Sequence, residues 1–148
     1  MKKDIKSFFS EEQKVQIVDA VKVAEKETSG EIRVHIENRC KRDVLDKAAF
    51  VFEKLEMHKT ELRNGVLFYL AVKDQKFAIL GDAGINSSVP DNFWDETKEA
   101  MFEEFKQNQF AEGLVKGIQM AGEKLKEFFP YQSDDVNELS DDISFEEN

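Results

Sequence analysis

Seven consecutive apolar residues, Val66-Leu67-Phe68-Tyr69-Leu70-Ala71-Val72, constrain this chain more than any other feature. A run that is apolar on both alternating faces belongs in the middle of a sheet covered on both sides. It is far short of the roughly 20 residues that cross a bilayer as a helix. The chain must therefore build a layered domain with helices packed over a sheet. Its 148 residues bound it to one domain of ordinary size.

The flanking patterns supply the other elements. Ser10-Glu11-Glu12-Gln13 has the spacing of a capping box, followed by a stripe of Val15, Val18 and Val21. This predicts a helix over about 10–28, stopped at Thr28-Ser29-Gly30 with Gly30 free to take the left-handed conformation. Glu31–Glu37 alternates strictly, with Ile32, Val34 and Ile36 on one face and Arg33 and His35 on the other. That is a half-buried strand with His35 partly exposed. Asp43 can cap a second helix striped by Val44, Ala48, Phe52 and Leu55. Arg63-Asn64-Gly65 turns into the apolar run, Lys73–Lys76 forms a hairpin, and Phe77–Leu80 is the returning strand. Gly81–Asn86 reads as a loop. A third helix begins near Pro90, and a fourth spans about 110–129, where Gly113 and Gly117 allow close packing on a neighbour. The result is an α/β fold with a small mixed sheet, combining a parallel crossover and an antiparallel hairpin, with two C-terminal helices. A further strand is not visible in the pattern.

Charge divides the chain. Seven of its 31 acids and none of its 21 bases fall in residues 131–148. Residues 1–130 are expected to form the domain and 131–148 an acidic, solvated tail, which could dock a protein partner. A net charge of −10 argues against a nucleic-acid partner. The single Cys40 excludes an intramolecular disulfide and reads as a surface thiol. Without a visible leader or membrane span, the expected location is cytoplasmic.

Topology suggests where function lies. A strand–helix–strand crossover makes the first two strands parallel, and the hairpin reverses the third. Three loops then meet at one sheet edge: 28–31, 63–65 and 81–86, with the start of the third helix nearby. They carry Ser29, Glu31, Asn64, Asp82, Asn86, Asp91 and Asp95. An oxygen-rich set without Cys or His suits Ca²⁺, or alternatively Mg²⁺, and not Zn²⁺. Glu31, Asp82, Asn86, Asp91 and Asp95 are the candidate ligands. The competing reading is ordinary turn and capping chemistry, with Asp91 as an N-cap. The segment from Asp82 is not an EF-hand, because Phe93 stands where the twelfth-position glutamate belongs. No phosphate loop, nucleophile elbow or Ser–His or Cys–His pairing is visible.

Thr28–Val34, Arg63–Leu70 and Asp74–Ile85, with Phe110–Leu114 and Gly117-Ile118, together resemble the TPM domain. The resemblance covers about residues 10–130. Members occur in thylakoid lumen proteins of photosystem II repair, in a modulator of acetylcholine receptors and in many bacterial proteins. It implies a three-layer α/β/α sandwich, an association with divalent ions including Ca²⁺, and in plant members a weak acid phosphatase activity. Carried onto this chain, those properties fall on the acidic edge, at Glu31 and Asp82. Two readings follow: a cation-binding interaction or regulatory module, or a metal-assisted phosphomonoesterase at the same edge.

Overall fold

The computed structural model describes residues 4–132 and 137–148. Ser10 caps α1 (Glu11–Ala24) through the expected box: Gln13 N–H donates to Ser10 Oγ at 3.1 Å, and Ser10 N–H donates to Gln13 Oε1 at 3.0 Å. The helix stops at Ala24, short of Thr28. Gly30 does not take the left-handed conformation, since no glycine has positive φ. A Cβ on Gly30 would stand 3.2 Å from Leu125 Cδ1, a tight contact against the end of α5.

Strand β1 (Glu31–Glu37) pairs parallel with β2 (Gly65–Ala71) across α2 (Val44–Lys54), and Asp43 caps α2 as expected. β2 returns antiparallel as β3 (Lys76–Gly81). The stretch expected as a loop then holds a one-turn helix, α3 (Ala83–Asn86), capped by Asp82. α4 (Asp95–Phe105) starts later than Pro90 suggests, so Asp91 is not its N-cap. α5 (Phe110–Leu125) follows. A Cβ on Gly117 would lie 2.4 Å from Met101 Sδ, so the small residues do admit α4.

Two apolar layers enclose the sheet. Ile32, Val34, Ile36, Phe68, Leu70 and Ile79 pack against α1, α4 and α5. Leu67, Tyr69, Ala71 and Ala78 pack against Ala48, Val51 and Phe52 of α2. Each large side chain so buried contributes roughly 1.5–3 kcal/mol before entropy is set against it. β2 is covered on both faces and lies inside the sheet, as its sequence demands.

The fourth strand, β4 (Ser144–Glu146), comes from the acidic segment and pairs parallel with β1, giving the order β3-β2-β1-β4. Asn148 Oδ1 accepts the Asn38 and Arg39 N–H groups at 3.0 and 2.9 Å. Asp134 and Asp135 lie outside the described residues. With α2 and β4 in place, the polar face of β1 is covered: His35 is 4% exposed and Glu37 is fully buried. Cys40 is likewise buried rather than a surface thiol, because the chain folds inward there and its S–H donates to the Arg42 carbonyl.

Candidate metal centre

The three expected loops do meet. Glu31 N–H donates to the Asn64 carbonyl at 3.0 Å, and Asp82 N–H donates to that of Gly65 at 2.9 Å. Asn64 Nδ2 donates to the Ser29 carbonyl at 2.7 Å. Gly84 lies beneath the 62–63 backbone, where a Cβ would stand 2.2 Å from the Leu62 oxygen.

The five candidate ligands are not gathered by this meeting. Asp82 is gripped by Arg63, and it caps α3 by accepting Ala83 N–H at 2.7 Å. Burial pushes its carboxyl up, but Arg63 and the Ala83 N–H outweigh burial and hold it below its ordinary value. Asn86 donates its amide N–H to the Gly81 carbonyl at 3.0 Å. Asp91 is exposed, and Asp95 lines a separate hollow with Glu96 and Lys124.

Glu31 belongs to a different group. Its Oε1 accepts the N–H groups of Glu138 and Leu139, at 2.5 and 2.8 Å. These contacts bring the 137–141 segment against the α1–β1 loop and form a cleft of about 300 Å³ lined by Glu25, Ser29, Glu31, Asn137 and Asp141. Burial and a hydrogen bond with Asp141 push the Glu25 carboxyl up to about 9. Burial also raises Glu31, opposed by its two N–H donors and reinforced by the charges of Glu138 and Asp141. Lys22 and Lys26 stand at the rim, and neither pairs with these carboxylates among the described residues. Neither Glu25 nor Asp141 stands out in the sequence: Glu25 reads as a solvated helix-end residue and Asp141 as part of a charged tail.

The donor set can be tested against a hard cation. Glu25 Oε2 is taken by Ile32 N–H at 3.1 Å, Glu31 Oε1 by its two donors, and Asp141 Oδ1 by Asn137 Nδ2 at 3.1 Å. Glu25 and Asp141 share a hydrogen bond whose proton an ion would displace, and among the described residues Glu31 Oε2 and the Asn137 amide oxygen have no hydrogen-bond partner. An oxygen-only set is the kind of donor set that hard cations take.

A tighter group of metal-ligating types lies at the far end of β1, where His35, Glu37 and Glu146 bring ligand atoms within 4.8 Å of one another. It is already charge-balanced. Lys47 Nζ lies 3.7 Å from Glu37 and 3.6 Å from Glu146, and Lys54 Nζ lies 2.8 Å from Glu146. His35 Nε2 is hydrogen-bonded to Glu37 Oε1 at 2.9 Å, and Nδ1 to the Ser144 hydroxyl at 2.9 Å. Tyr69 O–H also donates to Glu37, and burial followed by that contact raises the phenol. The network is satisfied internally and ties β4 to β1. Among the described residues no helix is long and apolar enough to cross a membrane.

Comparison with known proteins agrees with this architecture. The chain is similar to the BA42 protein of the psychrophilic bacterium Bizionia argentinensis, at 50% identity and a TM-score of 0.91 over 97% of this chain and 99% of that one. Two more distant structures share the fold. One is the N-terminal domain of cg2496 from Corynebacterium glutamicum, at 14% identity and a TM-score of 0.64 over 93% of this chain and 80% of that one. The other is an N-terminal domain from P. gingivalis, at 16% identity and a TM-score of 0.68 over 84% and 82%. No curated protein matches the chain. The family model for the TPM domain matches residues 3–124, and the chain belongs to the TPM domain family.

Proposed function

We propose that the protein is a divalent-cation-binding module that takes Ca²⁺ in the cleft formed by Glu25, Glu31, Asn137 and Asp141. The observation that carries this reading is the gathering of Glu25, Glu31 and Asp141 in one cleft with no basic partner among the described residues; burial first, and then the contact with Asp141, pushes Glu25 up to about 9. A divalent ion would replace that mutual repulsion with attraction, and the oxygen-only donor set favours a hard cation. Of the five ligands that spacing suggests, the reading keeps Glu31. The ion would hold the 137–141 segment, and with it β4, against the body, which suits a regulatory or interaction role better than hydrolysis. Among the described residues the cleft is lined by carboxylates, an amide and small hydroxyl side chains rather than by histidine or cysteine, and Thr28 spends its hydroxyl on the Phe129 carbonyl.

The test is a Ca²⁺ titration of the full chain by two-dimensional amide NMR, repeated on Glu25→Gln and Glu31→Gln. Saturable shifts at residues 25–31 and 137–141, lost in both variants, are expected. Shifts that never saturate, or that follow the exposed acids alone, overturn the reading.

A further inference from the structure

We propose that the cavity beside Arg33 is a binding site for the carboxylate of a small aliphatic acid. The cavity is about 230 Å³ and lies on the α2 side of β1, lined by Arg33, Leu55, Lys59, Thr60, Leu139 and Ser140. Arg33 Nε is buried there with no hydrogen-bond partner. Burial holds its guanidinium below the ordinary value, and the charge opposing that effect is Asp142's. Arg33 is half-buried, but its Nε–H is shut off from solvent, and a buried N–H without an acceptor is costly. An unsatisfied buried donor beside a cavity therefore points to an acceptor brought by a ligand.

Two hydroxyls complete the donor set. Thr60 Oγ1 accepts Asn64 N–H at 3.2 Å, and Ser140 Oγ accepts Asp142 N–H at 3.1 Å. Each hydroxyl keeps its proton for a ligand oxygen. The remaining charged groups set the ligand's charge. Glu56 pairs with Lys59 at 3.2 Å, and the Glu138 carboxylate accepts Glu61 N–H at 3.2 Å. Glu56 and Glu138 thus balance Lys59 and Arg33 in the wall, and Asp142 adds a third carboxylate near Arg33. A phosphate dianion is repelled, and a ligand oxygen is held by the Arg33 fork and the two hydroxyls rather than by net charge. The planar fork of arginine matches a carboxylate through two parallel hydrogen bonds. Leu55 and Leu139 offer an apolar wall to a short alkyl tail.

The test uses the full chain, ¹⁵N-labelled, titrated with sodium butyrate, with N-acetyl-leucine, with sodium phosphate, and with sodium chloride at matched ionic strength. The Arg33 Nε–Hε signal reads the missing hydrogen bond directly and needs no variant. Expected is a saturating downfield move of that signal, with saturating amide shifts at Thr60 and Ser140, for a carboxylate and not for chloride. The tighter of butyrate and N-acetyl-leucine separates a free acid from a peptide C-terminus as the source. Arg33→Lys, which loses the fork and keeps the charge, should bind about tenfold more weakly. Tighter saturation by phosphate overturns the carboxylate assignment. An Arg33 signal that no anion moves overturns the site and leaves an ordered water only.

Discussion

Arg63 holds Asp82 at two points, with Nε 2.7 Å from Oδ2 and Nη2 2.7 Å from Oδ1. The same carboxylate caps α3, so one side chain joins the 63–65 turn to the end of β3. Its folded pKa lies below the ordinary 3.8. A depressed carboxylate stabilises the fold above its unfolded pKa, and that contribution is lost as pH falls through the folded value. Asp82→Ala is expected to cost about 1–2 kcal/mol at pH 7, the scale of a lost cap. Urea denaturation at pH 7 and pH 3 should show the gap to wild type narrowing at the lower pH. The variant should keep its Ca²⁺ response; losing it would return the ion to the loop edge.

Glu25→Gln separates proton uptake from binding. Without cation the variant should be more stable than wild type at pH 7, because Glu25, pushed up to about 9, must take up a proton on folding and the amide need not. With Ca²⁺ at about 100 times its dissociation constant, wild type should gain ~2.7 kcal/mol and the variant much less. Thermal melts with EDTA and with Ca²⁺ read both differences. A wild type whose melt ignores Ca²⁺ contradicts the proposed role.

β4 should be released by acid. Its Glu146 carboxyl is brought down from 4.5 to about 2, first by the Lys54 hydrogen bond and then, against burial, by Glu37 and Lys47. The carboxylate's contribution is complete above the unfolded value and disappears between about pH 4.5 and 2. Amide protection at 144–146 should fall in that window while β2 stays protected. Glu146→Gln should show lower protection at pH 7 and no such transition. Simultaneous loss in β2 would mean that β4 is not released separately.

How much of this could be read in advance depends on what each residue faces. The apolar run 66–72 announces an interior strand because both of its faces are apolar, and the Ser10–Gln13 box declares its helix locally. β4 is silent because three residues in an acidic stretch carry no periodicity. What holds it, His35 against Ser144 and Lys54 against Glu146, is pairing across more than ninety residues. The same distance hides Glu25 and Asp141. For Glu31 and Asp82 the loop topology is legible, but the partner of each carboxylate is not. Asp82 takes a cation from its own edge, and Glu31 takes two N–H groups from a segment that reads as solvated tail.

Gly84 tests the loop meeting itself. Replacing an ordinary glycine with alanine typically stabilises by about 0.4–1 kcal/mol, because the unfolded chain loses freedom. Gly84 has no positive φ, so backbone strain is not what demands glycine there. Space is: the added Cβ would stand 2.2 Å from the Leu62 oxygen and 2.6 Å from that of Arg63, both backbone atoms. Neither can move without breaking the Gly84 N–H bond to the Arg63 carbonyl, which measures 2.9 Å. Gly84→Ala should therefore destabilise by about 3 kcal/mol, the upper range of overpacking. It should also shift the amides of 62–65 and 81–86 more than those of 25–30. Gly113→Ala serves as a reference, since its Cβ meets the Phe105 ring rather than backbone. A Gly84→Ala protein as stable as wild type would show that the 62–63 backbone does not lie over Gly84, and the three-loop edge would lose its footing.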